Sequence, residues 1–279
     1  MGRQENVRIF EDTQRLYETN PRLREAVSKS IEQQKLIPER MKHISHSGER
    51  RYENSAEVVV SRRRSFAAAM QYAGKKVCVL NFASATNPGG GVTRGSSAQE
   101  ECLCRCSTLY AALDSSEMWL GFYSSHRRTR NPLHNDDCIY TPGVVVFKSD
   151  TDEPRLQPER MWYTVDILTC AAPNLRERPG NEMNPGEGDR SADISQDELR
   201  KLHEKRLRRV ADIAVENDED VLILGAFGCG AFRNPPEVVA WAMKTVVEEY
   251  RYCFKTIEMA VHCSPRDDTN YQVFAEAFG

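Results

Sequence analysis

The 279-residue sequence has no long apolar run and no excess of positive charge. No stretch approaches the roughly 18 consecutive apolar residues of a membrane span, and the first residues lack the apolar region of a signal peptide. Lys and Arg number 38 against 41 Asp and Glu, so overall charge gives no reason to expect nucleic acid or an anionic membrane as partner. We therefore expect an intracellular protein without membrane contact, cytoplasmic or, in a eukaryote, also nuclear.

The sequence also lacks a metal-binding signature. No Cys-x-x-Cys pair is present among the nine cysteines, and the six histidines form no cluster. Cys102, Cys104 and Cys106 alternate along a predicted helix, so their side chains point in different directions. Most cysteines stand in apolar runs, where a reduced thiol behaves as a small hydrophobic group. We expect no metal and no other cofactor.

Apolar strand-like runs alternate with helix-like segments, which predicts an α/β fold with a mixed, largely parallel sheet between two helical layers. We assign residues 51–279 to this three-layer α/β/α domain. Residues 1–50 predict two helices, near 9–18 and 21–34, the second capped by Asn20 with Pro21 in its first turn. This N-terminal helical extension is expected to pack on the main domain; a separate partner-binding arm is the alternative.

The stretch 81–101 shows the first sign of a functional site. It follows an apolar run, 76–80, that predicts a buried strand, and it contains Gly89, Gly90 and Gly91. Three consecutive glycines are expected where the backbone takes positive φ or lies against a ligand. The pattern predicts a ligand-binding loop between a strand and a helix.

Two adjacent acids, Glu100 and Glu101, open the helix that follows this loop. Aligned amide groups at a helix start favour negative charge, so a structural alternative needs no chemistry. Ser97 and Glu100 have the spacing of a capping box, and Glu101 would then complement the helix dipole. That alternative does not explain the three glycines.

A second glycine loop, Gly228-Cys-Gly230, follows the apolar run Val221–Leu224 and precedes another predicted helix. It lacks the length and the lysine of a nucleotide-hydrolase phosphate loop. Backbone amides at such a position can still bind an anion, although a plain tight turn is the alternative. Ligands collect at the carboxyl ends of parallel strands, so both loops should lie on one rim and hold a phosphorylated ligand between them.

These motifs resemble those of poly(ADP-ribose) glycohydrolases. The signature is Gly-Gly-Gly at 89–91, seven residues, and Gln-Glu-Glu at 99–101, while Ile-Tyr-Thr-Pro-Gly-Val at 139–144 and Gly-Cys-Gly-Ala-Phe-Arg-Asn-Pro-Pro at 228–236 are similar to the microbial-type branch. The similarity extends from about residue 8 to 274. It implies a macrodomain, an α/β/α sandwich that binds ADP-ribose, and an enzyme that hydrolyses the ribose–ribose bonds of poly(ADP-ribose).

The resemblance implies a role for each matching residue. Glu101 matches the catalytic acid, Glu100 the residue that grips the hydroxyls of the released ribose, and Gln99 the residue that braces this pair. Phe232 matches the aromatic residue that packs on the ribose and fixes its orientation. The loops that match the walls around the ribose and the diphosphate comprise Gly89, Gly90, Gly91 and Val92, and Gly228, Cys229, Gly230 and Ala231. No residue is assigned to the adenine.

Three functions stay open on the sequence. The first is release of ADP-ribose from poly(ADP-ribose), mainly from chain ends, because the pocket of the microbial-type branch closes around the adenine-side ribose. The second is the same chemistry on ADP-ribosylated nucleobases of DNA or on mono-ADP-ribosylated proteins. The third is a non-catalytic ADP-ribose-binding module, which has no need of the second acid. We expect a monomer.

Two arginine clusters bear on the choice of substrate. The clusters consist of Arg62, Arg63 and Arg64, and of Arg127, Arg128 and Arg130. Solvated charged turns are the more common role of such runs. They would favour a nucleic-acid substrate only if both clusters lay beside the ligand-binding cleft that the two glycine loops are expected to form.

Overall fold

A computed structural model describes residues 2–42, 44–181 and 186–279. Within them, seven strands form one sheet: β1 (Lys35–Ile37), β2 (Glu57–Ser61), β3 (Val77–Phe82), β4 (Cys138–Val146), β5 (Tyr163–Cys170), β6 (Val221–Leu224) and β7 (Thr256–Ala260). Their order is β1-β4-β5-β3-β6-β7-β2. The five strands from β5 to β2 are parallel, and β4 and β1 extend the sheet antiparallel at one edge. The expected mixed, largely parallel sheet is confirmed.

Helices cover both faces of this sheet. The α-helices of the described residues are α1 (Arg3–Thr19), α2 (Pro21–Gln33), α3 (Ser65–Ala69), α4 (Gln99–Cys106), α5 (Leu109–Leu113), α6 (Ser116–Met118), α7 (Ser124–Thr129), α8 (Gln196–Glu216), α9 (Pro236–Glu249) and α10 (Thr269–Phe278). Among them, none is long and apolar enough to cross a membrane.

The alternation of side chains along the buried strands builds two cores. In β3, Cys78 and Leu80 pack with residues of α8 and α9, whereas Val77 and Val79 pack with residues of α3, α4 and α5. Successive residues of a strand point to opposite faces, so a strand that is apolar at every position requires a helical layer on each side. The three-layer α/β/α architecture is confirmed.

Helices α2 and α8 begin with side-chain caps, and the one at Asn20 was expected from the sequence. The Asn20 side chain accepts hydrogen bonds from the amides of Arg22 and Leu23 at the start of α2, and Ser195 and Glu198 form a capping box at the start of α8. Pro142-Gly143 forms an irregularity inside one continuous strand, β4.

Helix α1 contacts the segment that leads into α4. The Asn6 amide Nδ2 donates to the Gly95 carbonyl at 3.0 Å, and the Thr13 hydroxyl donates to the Arg105 carbonyl at 2.6 Å. The Phe10 ring is buried and meets the Tyr110 ring edge-on, with 4.8 Å between centroids. The amino-terminal helix therefore packs directly against the glycine loop and the helix that follows it.

Candidate active site

A cleft of about 280 Å³, partly open to solvent, lies at the carboxyl ends of the central parallel strands. It is lined by residues at or just beyond the ends of four of them: Phe82, Ala172, Ala226 and Ala260. Eight residues assigned from the sequence also line it: Gly90, Gln99, Glu100, Glu101, Gly228, Gly230, Ala231 and Phe232. The remaining four, Gly89, Gly91, Val92 and Cys229, stand beside these in the two loops without lining the cleft. Both glycine loops therefore share one rim, as expected.

Gly90 allows the first loop to lie against both acids. Its backbone has φ +59°, and a Cβ there would lie 2.6 Å from Oε1 of Glu101 and 3.1 Å from Oε2 of Glu100. Gly89 also has positive φ, and a Cβ on it would lie 2.8 Å from the Tyr110 ring. A side chain at either position would push on its neighbours, so the glycines are required by this close approach as well as by the turn.

Gln99 fixes the start of α4 to the end of β3. Its Oε1 accepts from the Phe82 amide at 2.9 Å, and its Nε2 donates to the Leu80 carbonyl at 2.8 Å and to the Ser65 hydroxyl at 3.0 Å. These bonds tie the residue directly before the two acids to the central strand. Gln99 thus fixes the position of the two acids at the cleft wall.

The structural alternative for Glu100, a capping box with Ser97, does not form. Helix α4 begins at Gln99, and Ala98 at the N-cap position has no side-chain cap. The Glu100 carboxylate instead accepts from Nδ2 of Asn81 at 3.1 Å and from the Ser84 amide at 2.7 Å. Tertiary contacts with the end of β3 and the chain beyond it have replaced the local cap, so capping does not account for this acid.

Both acids are almost completely buried. The exposed fraction is 2% for Glu100 and 7% for Glu101. Loss of hydration disfavours the ionised form, so burial raises the pKa of Glu101 and, together with the charge of Glu101, raises the pKa of Glu100 well above its ordinary value. At Glu101 this desolvation outweighs the opposing effect of hydrogen bonding and of the Arg105 charge.

The two oxygens of Glu101 differ in their surroundings. Oε1 accepts from the Gly91 amide at 2.9 Å, while Oε2 is buried and has no hydrogen-bond partner among the described residues. An unpaired buried carboxyl oxygen is costly. A protonated Oε2 on the wall of a cleft is suited to donate its proton to a ligand.

Asn234, which the sequence analysis did not assign, supports the second glycine loop. Gly228 has φ +79°, and a Cβ there would lie 2.6 Å from the Asn234 amide nitrogen. That nitrogen donates to the carbonyls of Pro173 at 2.7 Å and Gly228 at 3.1 Å, while its Oδ1 pairs with Nε2 of His203 at 2.9 Å. Burial lowers the pKa of His203 to about 4, which keeps the ring neutral. The loop geometry thus depends on a buried amide within the Phe-Arg-Asn-Pro-Pro motif.

Phe232 is held in place by His134, which precedes β4, and by the segment that follows β5. Only 8% of it is exposed, and its ring packs on His134 with 5.9 Å between centroids. Its carbonyl accepts from the Leu175 amide at 2.9 Å, and the neighbouring Ala231 carbonyl accepts from Nε of Arg176 at 2.6 Å. These contacts fix the orientation of an aromatic side chain that lines the cleft.

Most arginines of the two clusters bond to other side chains or carbonyls of the protein. Arg64 lines the cleft and forms an ion pair with Asp152. Three more arginines form ion pairs: Arg62 with Asp268, Arg63 with Glu258, and Arg130 with Asp189. Arg127 donates to the Thr86 carbonyl at 2.7 Å and to the Asn87 side chain at 2.5 Å. Five of the six arginines are therefore bonded within the protein.

The chain matches one protein family by sequence. The family model of the microbial-type PARG catalytic domain matches residues 4–149, just over half of the chain. The chain therefore belongs to the family of microbial-type poly(ADP-ribose) glycohydrolase catalytic domains. A search among curated proteins gave no match.

Solved structures of bacterial poly(ADP-ribose) glycohydrolases share its fold. The enzyme from Thermomonospora curvata superposes with a TM-score of 0.80 at 28% identity, covering 99% of this chain and 100% of that one. Its complex with the inhibitor ADP-HPD gives 0.78 at 28% identity over 98% and 99% of the chains. The Deinococcus radiodurans enzyme with bound ADP-ribose gives 0.73 at 29% identity over 90% and 96%. The macrodomain-like fold and the family suggested by the motifs are both confirmed.

Proposed function

We propose that this enzyme releases ADP-ribose mainly from the ends of poly(ADP-ribose), with Glu101 as its general acid and base. The chain is a poly(ADP-ribose) glycohydrolase, as its family and its similarity to solved enzymes of that activity show. The role of Glu101 rests on one observation. Its carboxyl group is buried on the cleft wall, with one oxygen held by Gly91 and the other without a partner among the described residues.

The raised pKa of Glu101 suits the first step. Cleavage of a ribosyl bond passes through an oxocarbenium-like state and requires a proton for the departing oxygen. The Gly91 amide occupies Oε1, so the proton resides on Oε2. The C1″–O2′ bond breaks as this proton moves to O2′, and the bond's electron pair leaves with O2′. Water then forms a bond to C1″ and returns its second proton to the Glu101 carboxylate, which restores the acid.

Glu100 has a different task from Glu101. Adjacent helical residues point about 100° apart, so the two acids cannot stand on opposite sides of one sugar as in ordinary glycosidases. The bonds from Asn81 and Ser84 fix the Glu100 carboxylate, and each of its oxygens has a further lone pair. We assign these lone pairs to hydroxyls of the ribose. With no second carboxylate across the bond, we assign the positioning of the water to the substrate's own diphosphate.

The two glycine loops are proposed to hold that diphosphate. In the first loop the amides of Gly90, Gly91 and Val92 already donate to the Asn87 carbonyl, to Glu101 and to the Gly89 carbonyl, so Gly89 to Val92 are proposed to enclose the ligand by close approach of their backbone. Backbone amides of the second loop, Gly228 to Ala231, are proposed to bind phosphate oxygens. Phe232, fixed by His134 and Leu175, is proposed to orient the ribose for proton transfer. An orientation error of about 1 Å can reduce a rate on the order of a hundredfold.

A product time course on long polymer tests this proposal. We expect free ADP-ribose from the outset, and Phe232→Ala should slow its release about a hundredfold. Short oligomers that accumulate before ADP-ribose would contradict action at chain ends. Mono-ADP-ribosylated protein and ADP-ribosylated DNA, assayed in parallel, test the second candidate substrates. The monomeric state and the cytoplasmic location stay predictions.

A further inference from the structure

A buried pair of side chains, His134 and Glu187, adjoins the aromatic wall of the cleft. Their side chains are 2% and 1% exposed, and Nε2 of His134 lies 2.9 Å and 3.2 Å from the two carboxylate oxygens of Glu187. The other ring nitrogen, Nδ1, lies 2.8 Å from the Ala172 carbonyl oxygen. Neither member of the pair lines the cleft, whereas Ala172 and Phe232 do. The His134 ring therefore contacts two residues of the cleft surface from outside the cleft.

The hydrogen bonds of His134 account for one proton more than a neutral ring carries. A carbonyl oxygen only accepts, so Nδ1 bears the hydrogen that points to Ala172. A neutral imidazole has a single N–H and a carboxylate only accepts, so the contact between Nε2 and Glu187 requires a second proton. Imidazole is ordinarily the stronger base of the two groups. His134 is therefore an imidazolium that donates to the Glu187 carboxylate, and each charge compensates the other where water is excluded.

The backbone on each side of Glu187 brings its carboxylate to this imidazolium. Gly186 has φ +101°, and a Cβ on it would lie 2.7 Å from Cγ of Arg127. A Cβ on Gly188 would lie 2.4 Å from the Arg130 carbonyl oxygen. Only glycine permits so close an approach at both positions. Glu187 is therefore the buried anchor of a short segment that packs on the chain just before the imidazolium.

The His134 ring connects this anchor to Phe232. The two rings pack with 5.9 Å between centroids and an interplanar angle of 55°, within the contact range of aromatic pairs. His134 also has φ +59°, a left-handed backbone conformation that persists where surrounding contacts compensate for its strain. Without Glu187 the imidazolium would be buried with no counter-charge, which disfavours the present position of the ring. The orientation of Phe232 would then be less well fixed.

We propose that Glu187 and His134 are positioning residues for glycosidic cleavage, whose ion pair fixes the Phe232 ring against the ribose. The inference rests on the proposed function, in which Phe232 orients the ribose for proton transfer. The pair acts through Phe232 and does not touch the substrate. It should therefore affect the turnover of bound polymer more than the binding of polymer.

Replacement of Glu187 by alanine and by glutamine tests the ion pair. Glu187→Ala should lower kcat on poly(ADP-ribose) about tenfold and leave KM within about twofold of wild type. Glu187→Gln should restore most of the rate, because its amide can donate to Nε2 of a neutral imidazole while Nδ1 keeps its bond to Ala172. Asp189, exposed in the same segment and paired with Arg130, gives the control Asp189→Ala, which should change neither constant.

A double variant decides whether Glu187 acts through Phe232. In a Phe232→Ala background the ring is absent, so adding Glu187→Ala should lower kcat by no more than about twofold. A further loss there as large as that of the single variant would overturn the inference. So would an unchanged kcat in Glu187→Ala, or a loss in Glu187→Gln as large as the loss in Glu187→Ala. Glu187→Asp, which keeps the charge but is one methylene shorter, gives the same comparison if the alanine variant does not fold.

Nitrogen NMR of the His134 ring provides a readout that is independent of activity. At neutral pH both ring nitrogens should bear hydrogen in the wild type, and Nδ1 alone should bear it in Glu187→Gln. A wild-type Nε2 without hydrogen would overturn the ion pair. A wild-type rate in Phe232→Ala would instead refute the role that the proposed function gives to Phe232, and failure to release ADP-ribose from polymer would refute that function itself.

Discussion

Replacement of Gly90 by alanine tests whether the first loop must lie against the two acids. The added methyl group would stand 2.6 Å from Oε1 of Glu101 and 3.1 Å from Oε2 of Glu100. Ordinary van der Waals contact begins near 3.4 Å, so the Glu101 oxygen or the loop must yield by several tenths of an ångström. The Gly91 amide that holds this oxygen belongs to the next residue and would move with the loop.

Two effects with different readouts should result. Alanine at positive φ destabilises the fold by about 1–2 kcal/mol, which denaturant titration would detect. Displacement of the Glu101 carboxyl approaches the 1 Å scale at which rates fall on the order of a hundredfold. We expect Gly90→Ala to lower kcat on poly(ADP-ribose) by about that factor, measured as free ADP-ribose under saturating polymer.

Two other glycines separate these effects. Gly74→Ala imposes a positive-φ penalty, since Gly74 has φ +89°, but a Cβ there meets nothing within 4 Å. It should lose stability and keep its activity. Gly230 lines the cleft and its Cβ would also meet no protein atom within 4 Å, so Gly230→Ala should keep wild-type stability, and any loss of activity in it would come from contact with the bound diphosphate. Wild-type kcat in Gly90→Ala, or an equal kcat loss in Gly74→Ala, would refute the reasoning.

Three further results are expected. Activity should survive EDTA, because no metal-ligand cluster accompanies the motif; loss on chelation and recovery with a divalent metal would contradict this. Glu100→Ala should weaken both ADP-ribose binding and rate, so a variant that binds normally would remove its assigned role. Burial raises the pKa of Glu101 above the ordinary 4.5, so the contribution of Glu101 to the free energy of unfolding falls as pH rises from 4.5 toward that pKa. We therefore expect the free energy of unfolding of Glu101→Gln to rise relative to that of the wild type over this pH range and to be closest to it below pH 4.5, as measured by denaturant titration at several pH values.

The main parts of the site were predictable because their signals are local. Glycine runs that follow apolar strands indicate backbone built around a ligand, and the topology of a parallel sheet brings such loops to one rim. Gly90 and Gly228 have the positive φ that these patterns suggested. Strand β1 was missed because three residues at a sheet edge are too few to show a period, and because α2 ends directly before it.

The contacts that support the site could not be predicted from the sequence, because each joins two residues that are far apart along the chain. His203 meets Asn234 across 31 positions, and Arg176 meets Ala231 across 55. The capping box at Ser97 failed for a related reason. A spacing rule identifies a possible partner for Glu100, but the amide of Ser84, which only the folded chain brings close, binds that carboxylate instead.

The most direct test of the central claim is the Glu101→Gln variant, assayed for both turnover and binding. The amide keeps the shape of the side chain and an oxygen for the Gly91 amide, and it removes the transferable proton. We predict no measurable release of ADP-ribose from poly(ADP-ribose), with ADP-ribose affinity within about tenfold of wild type, a change of about 1.4 kcal/mol. A variant that keeps more than a few per cent of the wild-type rate would contradict the assignment of Glu101 as the proton donor.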